Sequence, residues 1–154
     1  MSIEPHDAVE RVWREQGAKL WRSLVAFTAD PDVATDAMAE AFAQALGRGD
    51  AVRDHDRWIW RASFRIAAGE LKARSRRSGE MPTLSYQMPE PVADLVHALA
   101  SLSPNQRAAA VLHEYADLST RDVARILGCS QATVRVHLAQ ARKRLRPLLE
   151  ETGD

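Results

Sequence analysis

The side chains best suited to recognise another molecule lie in STRDVARILGCSQATVRVHLAQARKRL, residues 119–145. In the major groove of DNA, glutamine pairs well with the edge of adenine and arginine with the edge of guanine, while threonine, lysine and arginine suit phosphates. All of these residue types occur in the second part of the stretch. The stretch therefore predicts a DNA-contacting element, with an ordinary helical hairpin whose polar face is solvated as the alternative.

Two short helices around a tight turn at Gly128 would position these side chains, as in a helix-turn-helix. Spacings of 4, 3 and 4 predict the buried face of the second helix, which consists of Val134, Leu138, Ala141 and Leu145. The apolar residues expected to pack on it from the first helix are Val123, Ala124 and Leu127. The outer face then carries the candidates for DNA contact, which are Gln131, Ala132, Thr133, Arg135, Val136, His137 and Arg142.

The charges of the chain are balanced in total but segregated along the sequence. Lysine plus arginine and aspartate plus glutamate number 21 each. Residues 57–79 nevertheless carry 7 basic and 1 acidic side chains, and residues 119–154 carry 7 and 4, whereas residues 1–56 and 80–118 are net acidic. We therefore expect two basic patches that bind DNA weakly unless another molecule holds the chain near it.

Helical periodicity dominates the chain before residue 78. Apolar residues at mostly three- or four-residue spacings predict a first helix, and Asp30-Pro31 is typical of the start of a second one. The predicted inward residues of the second helix are Val33, Ala37, Ala41 and Leu46. The sequence GRGD ends that helix, and a polar loop to Arg57 precedes a third helix, WIWRASFRIAAGELKARSRR.

The segment SGEMPTLSYQMPEPVA interrupts this pattern with three prolines, which predicts an extended linker. After it, Ser103, Ser119 and Ser130 each stand where a serine would cap a helix. Strand-like alternation is hard to find. We therefore predict an all-α protein of two small helical domains, 1–77 and 92–154, joined by an extended linker at 78–91.

Several functional classes are disfavoured. One cysteine excludes an internal disulfide, and the beginning MSIEPHDAVE does not resemble a signal peptide. No apolar run approaches the roughly 20 residues that span a bilayer. Asp54-His55-Asp56 lacks the spacing of a helical metal-ligand pair, and no nucleophile–base pairing or phosphate loop is found. We expect a cytoplasmic protein that is not an enzyme and has no cofactor, metal or membrane association.

LSPNQRAAAVLHEYADLSTRDVARILGCSQATVRVHLAQARKRLR, residues 102–146, closely resembles the domain with which extracytoplasmic function (ECF) sigma factors, a group of the sigma-70 family, recognise the promoter −35 element. DPDVATDAMAEAFAQAL followed by WIWRASFRIAAGELKARSRR more loosely resembles their domain for −10 recognition and melting. The resemblance implies a bacterial subunit that binds core RNA polymerase and directs it to promoter DNA. An anti-sigma protein is a further partner implied by the family.

The resemblance also assigns residues. The helix of residues 32–46 would dock on polymerase, through Asp32, Asp36, Ala39, Glu40 and Phe42. The loop before the third helix would capture a flipped −10 base, and the basic helix would hold DNA phosphates. The candidates for the −10 region are Asp54, His55, Arg57, Trp60, Arg61, Arg65, Lys72, Arg74, Arg76 and Arg77. Trp58 and Trp60 cannot share a helix face, so we expect one in the core and the other partly exposed.

Two alternatives remain at this stage. A stand-alone regulator could use the same helix-turn-helix with a front domain for dimerisation or ligand sensing, although such a domain does not need the second basic patch. A degenerate sigma-like regulator could have lost melting. This second alternative rests on Ala39 and Gly69, where the family usually carries glutamine and aspartate. At His137 the family often has arginine, which predicts a weaker −35 contact.

Overall fold

The computed structural model describes residues 4–78 and 90–152, here called the first half and the second half. The described residues form helices throughout and no strand. The first half contains α1 (Pro5–Thr28), α2 (Pro31–Arg48), a single 3₁₀ turn (Gly49–Ala51) and α3 (His55–Ser78). The second half contains α4 (Glu90–Ala100), α5 (Pro104–Ala110), a π-helical turn (Val111–Tyr115), α6 (Thr120–Leu127) and α7 (Gln131–Thr152). The all-α prediction is confirmed.

A tight corner joins α1 to α2 and fixes where the second helix begins. Ala29 adopts a left-handed conformation with φ 58°, and its N–H donates to the carbonyl of Val25 at 2.8 Å. The carboxylate of Asp30 then accepts the N–H groups of Asp32 and Val33 at 2.9 and 3.3 Å. Capping by Asp30 ahead of a proline is the arrangement that the sequence predicts.

The core of the first half lies where α1, α2 and α3 meet. Leu20, Leu24 and Ile59 are fully buried there. Phe64 lies between two rings, with its centroid 5.2 Å from that of Phe27 and 6.3 Å from that of Trp60. Burial of these apolar side chains is the main favourable term that holds the three helices together. Of the predicted inward residues of α2, Leu46 is wrong, because its side chain is 48% exposed.

Serine caps organise the second half as predicted. Ser103 and Gln106 form a reciprocal capping box at the start of α5. The hydroxyl of Ser119 accepts the N–H of Asp122 at 3.1 Å, and that of Ser130 accepts the N–H of Thr133 at 3.1 Å. These caps set the starts of α6 and α7, the two helices of the predicted DNA-contacting element.

The two halves pack directly against each other. Their apolar residues form one continuous core cluster, with Leu99 and Leu102 of the second half in the same cluster as Leu24 and Phe27 of the first. The guanidinium of Arg107 lies 5.4 Å from the centre of the Phe27 ring. We call this arrangement the closed packing.

The predicted linker falls mostly outside the described residues, since the structure describes nothing between residues 78 and 90. Helices reach both ends of the predicted linker, because α3 includes Ser78 and α4 begins at Glu90. Its extended character and the domain boundaries stay predictions. In the described part of the chain, no helix is both long and apolar enough to cross a membrane.

Candidate nucleic-acid interface

The α6–turn–α7 unit has the geometry of a helix-turn-helix. Gly128 ends α6 with φ 72°, a conformation that an L side chain rarely adopts, so glycine is favoured at this turn. Val134, Leu138 and Ala141 of α7 are at most 4% exposed, and they belong to the same core cluster as the buried Val123 of α6. The predicted stripe is correct except at its end, where Leu145 is only partly buried.

The opposite face of α7 is open to solvent. Six of the seven residues assigned to it are exposed, namely Gln131, Ala132, Thr133, Arg135, Val136 and Arg142. His137 is partly buried, and its Nδ1 atom is buried without a hydrogen-bond partner in the described part of the chain. Val136 is 53% exposed, which is unusual for a large apolar residue and suits contact with a thymine methyl group.

Internal bonds distinguish the polar residues of this face. Arg142 is engaged, because its Nε donates to a carboxylate oxygen of Glu114 at 3.0 Å. Gln131 accepts a hydrogen bond from the Thr120 hydroxyl at 3.2 Å. Arg135 makes no hydrogen bond or ion pair with the described residues. Arg135 is therefore the arginine of this face that is free to contact a base.

The basic face of α3 is partly exposed and partly engaged. Arg61, Arg65, Lys72, Arg76 and Arg77 are exposed. Arg74 is ion-paired with Asp30 and Glu70, and Glu70 also lies 3.3 Å from Arg77. Because its charge is already compensated, Arg74 is less available to DNA phosphates than its sequence position suggests.

The Asp30–Arg74 pair changes the ionisation of Asp30. Burial by itself raises the pKa of this carboxyl group, but hydrogen bonds from Arg74 and from the N–H groups of Val33 and Asp32 outweigh burial. Together they hold the pKa below its ordinary value. Asp30 thus links the start of α2 to the basic end of α3 as a carboxylate.

The assignment of Trp60 to DNA contact is corrected by the structure. Its side chain is 3% exposed, and its Nε1 donates to Oε1 of Gln16 at 2.8 Å. Trp58 is the partly exposed member of the pair, with the guanidinium of Arg48 5.4 Å from its ring centre. The two-residue spacing of Trp58 and Trp60 predicted that they lie on different faces of α3, but it did not indicate which of the two faces is buried.

The loop before α3 is held by contacts that the sequence analysis missed. Asp54 caps α3 by accepting the N–H of Arg57 at 3.1 Å. Asp56 accepts hydrogen bonds from Arg11 at 2.7 Å and from Gln16 at 3.1 Å, both on α1. Val52 is buried beneath the loop. Arg11 and Gln16 of α1 therefore hold the first turn of α3, next to the loop, and only the tertiary structure reveals these contacts. His55 is partly buried, and its Nε2 atom lacks a partner among the described residues.

The proposed docking face of α2 is mostly exposed, with one exception. Asp32, Asp36, Ala39 and Glu40 lie at the surface. Phe42 is 6% exposed and packs edge-on against Trp13 at 5.0 Å between ring centroids, so it is a packing residue in this structure and its assignment is corrected. Trp13 itself is 55% exposed and Leu46 is 48% exposed. These two residues were missed as surface candidates because both occupy apolar positions of a helical pattern.

The closed packing brings the first residue of α7, Gln131, next to the residues before and at the start of α3. Asp54, Arg57 and Arg61 of the first half line the same cleft as Gln131 of the second half. Arg57 lies 3.2 Å from Asp122 of α6 across this contact. Among the described residues, no group of histidine, cysteine, aspartate or glutamate side chains could hold a metal ion.

Comparison with characterised proteins identifies the family. Residues 93–145 match the sigma-70 region 4 family. The chain is 30% identical to the RNA polymerase sigma-E factor of Streptomyces avermitilis over 155 residues, which cover 92% of this chain and 84% of that protein. It is also 30% identical to the ECF RNA polymerase sigma factor SigM of Mycobacterium tuberculosis, with 92% and 77% of the two chains covered. The chain belongs to the ECF sigma factors.

Solved structures of the same fold agree with this assignment. The sigma factor RpoE from Bartonella quintana, solved in complex with the anti-sigma factor NepR, superposes with a TM-score of 0.77 at 21% identity, over 92% of this chain and 96% of that one. CnrH in complex with the cytosolic domain of CnrY gives 0.75 at 19% identity, over 95% and 90%. The sequence relatives confirm the resemblance to ECF sigma factors, and the solved structures show the same fold.

Proposed function

We propose that this ECF sigma factor binds core RNA polymerase, recognises the −35 and −10 elements of promoters and helps to melt the −10 DNA. The observation that carries the proposal is the open face of α7, which presents Arg135, Gln131 and Val136 on a helix-turn-helix in a chain of this family. This function requires no reaction to be catalysed, and it takes place in the bacterial cytoplasm, where the polymerase acts.

For the −35 element, α7 enters the major groove and places its first turns against base edges. Arg135 donates to a guanine edge, Gln131 pairs with an adenine edge, and Val136 contacts a thymine methyl group. Thr133 and Arg142 contact phosphates, which orient the helix but carry little sequence information. His137 is too enclosed to make a major contact.

For the −10 element, the segment of residues 47–57, which ends in the first turn of α3, receives the flipped base, and the rest of α3 holds the surrounding phosphates. Trp58 replaces Trp60 as the aromatic residue, since its ring is partly exposed next to Arg48 and Arg61. Stacking on an exposed ring offsets part of the cost of extruding a base, which is a few kcal/mol. Arg65, Lys72, Arg76 and Arg77 supply the phosphate contacts.

This function requires the closed packing to open. The −35 and −10 elements lie about 25 base pairs apart, which is roughly 85 Å along B-DNA at 3.4 Å per base pair. In the closed packing, Gln131 and Arg61 line one cleft of about 760 Å³. One cleft of that size cannot contact both elements, so the two halves must separate on the polymerase.

Polymerase docking uses the exposed side of α2. Asp32, Asp36, Ala39 and Glu40 form its polar part. Trp13 and Leu46 extend it with apolar surface, in place of the buried Phe42. Exposed apolar residues rimmed by charged ones are typical of protein–protein contact surfaces.

An anti-sigma protein is a further proposed partner. The RpoE and CnrH chains of the same fold were solved in complexes with NepR and CnrY. In this chain an apolar groove of about 610 Å³ lies in the second half, lined by Leu95, Leu99, Val111, Tyr115 and Leu145 among others. An amphipathic helix of such a partner fits a groove of this character.

Run-off transcription tests the proposal. Purified chain and core RNA polymerase are incubated with a library of genomic fragments, and discrete transcripts are expected only when both proteins are present. Arg135→Ala should strongly reduce transcription from a matched promoter. Arg14→Ala removes the same charge from an exposed site on α1 and should leave transcription unchanged. Co-elution with polymerase without any transcript would indicate a sigma-like regulator without melting activity, and no co-elution would refute the proposal.

A further inference from the structure

The cleft between the two halves gathers arginines from both of them. Arg53, Arg57 and Arg61 come from the first half, and Arg121 and Arg125 come from α6 in the second. The volume of this cleft, about 760 Å³, lies within the range that small-molecule sites occupy. Assembly of five guanidinium groups around one concave space is unfavourable unless anions compensate them.

The protein itself compensates only part of this charge. Arg57 is paired, with Asp54 at 3.4 Å and Asp122 at 3.2 Å. Arg53, Arg61, Arg121 and Arg125 make no hydrogen bond or ion pair with any described residue. Four guanidinium groups therefore remain to bind an external anion in the closed packing.

One aromatic residue completes the lining of the cleft. Trp58 is partly exposed, and its ring borders the same space as Arg61. Guanidinium groups bind phosphates through paired N–H donors, and an indole ring stacks on a nucleobase. A ligand with several phosphates joined to one base would satisfy both kinds of group at once.

We propose that this cleft is a binding site for a nucleoside di- or triphosphate, which bridges the two halves and stabilises the closed packing. A ligand that binds only the closed arrangement raises the ratio of closed to open molecules, and the ratio increases with ligand concentration. Occupancy would then oppose promoter binding. This last consequence rests on the proposed function, whereas binding at the cleft does not.

Cys129 is a built-in reporter of occupancy. It is the one cysteine of the 154-residue sequence, it is partly buried, and it lines the cleft. The rate of its alkylation by N-ethylmaleimide is measured on the full chain without polymerase, in the presence of ATP, GTP, adenosine or inorganic triphosphate. ATP and GTP should slow the reaction several-fold, triphosphate should slow it less, and adenosine should have no effect.

Calorimetric titration of the full chain with ATP tests the arginines. One site per chain is expected, and Arg125→Ala should weaken it by about tenfold, because one charge-assisted hydrogen bond is lost. Arg125 is not among the proposed DNA contacts. Arg22→Ala, which removes a charge from an exposed position of α1 outside the cleft, is the matched control and should bind as the parent does.

Three results would overturn the proposal. The first is an unchanged alkylation rate at ATP concentrations that saturate calorimetric binding, and the second is equal weakening by the Arg125 and Arg22 substitutions. The third is protection of Cys129 by a short single-stranded oligonucleotide but not by millimolar ATP, which would make the cleft a DNA groove. None of these measurements depends on transcription, so failure here is distinguishable from failure of the proposed function.

Discussion

The two proposed DNA-contacting surfaces of this sigma factor differ in how many of their side chains are already engaged in internal contacts. On α7, Arg135 and Val136 are exposed, and Arg135 has no internal partner among the described residues. In the −10 region, Trp60 is buried, Arg57 is paired with Asp122 of the other half, and Arg74 is paired with Asp30. The proposed −35 surface thus offers an exposed arginine without an internal partner among the described residues, whereas the proposed −10 surface is partly engaged in internal contacts.

This difference assigns separate roles to residues of the same type. An arginine with no internal partner can bind DNA at little cost, whereas a paired one must first break its ion pair. Exposure and pairing therefore predict function better than position in a basic run.

Substitution of the two tryptophans of α3 should give the largest difference in stability. Trp60→Ala leaves a cavity in the core and removes the bond to Gln16, so it should lower the free energy of unfolding by about 3–5 kcal/mol. Trp58→Ala should lower it by about 1 kcal/mol, because the ring is only partly buried. Urea denaturation of both variants measures this, and equal losses would mean that both rings are core residues.

The two arginines of α7 should differ in DNA binding. Arg135→Ala should lower the favourable free energy of binding to a matched −35 element by about 1–3 kcal/mol and relax specificity at one base. Arg142→Ala should cost less, because this side chain already binds Glu114. Binding of holoenzyme to promoter variants is the measurement, and a larger effect from Arg142 would reverse the assignment.

The Asp30–Arg74 pair predicts a pH-dependent effect. Because the pKa of Asp30 is lowered in the folded state, the pair stabilises the fold above the unfolded pKa of about 4, and this contribution is lost as the pH falls through the lower, folded value. Asp30→Asn keeps the helix cap. It should lower the free energy of unfolding by about 1 kcal/mol at neutral pH, a modest value because Arg74 is partly solvated.

Denaturation of the Asp30→Asn variant and the parent at several pH values tests this. The difference between them should shrink as the solution is made acidic. Asp36→Asn removes a carboxylate from an exposed site of α2 with no ion pair to the described residues, and at neutral pH it should change stability little. A difference for Asp30→Asn that stays constant down to strongly acidic pH would contradict the role of the charge.

Loss of the Arg57–Asp122 pair should have the smallest effect on stability, and it should act on the contact between the two halves, since both side chains are partly exposed. Such pairs contribute about 0.2–1 kcal/mol, so Asp122→Asn should increase opening of the closed packing by a few-fold at most. Faster alkylation of Cys129 reports that opening. Asp94→Asn, an exposed substitution on α4, is the control, and identical rates for the two variants would exclude the pair from holding the halves together.

The sequence predicted the helices well because the interactions that begin and end a helix join residues that are close in the chain. The caps at Asp30, Ser103 and Ser119 and the glycine at the α6–α7 turn involve atoms within a few residues of each other. The buried face of α7 followed from spacing alone, since a helix turns by a fixed angle per residue. Recognition of the family followed from the same region, which the sigma-70 region 4 match covers.

The errors arose where tertiary contact decides the outcome. Whether Trp58 or Trp60 is buried depends on where α1 lies, and Gln16 on that helix binds the latter. Phe42 and Leu46 share an apolar pattern, but Phe42 is buried and packs against Trp13, whereas Leu46 is 48% exposed. The pairing of Arg57 with Asp122 joins residues from opposite sides of a predicted linker, which no local pattern can indicate.

In the free chain, one cleft is lined both by Gln131 of the proposed −35 surface and by residues of the proposed −10 region, Arg57 and Arg61 among them. We infer that the two halves must separate before the chain binds a promoter. Energy transfer tests it, with fluorophores on Ala18→Cys and Asn105→Cys in a Cys129→Ser background, both labelled positions being exposed and in different halves. Transfer should be high in the free chain and fall when core polymerase and promoter DNA are added. Unchanged high transfer in a complex that initiates transcription would contradict the account.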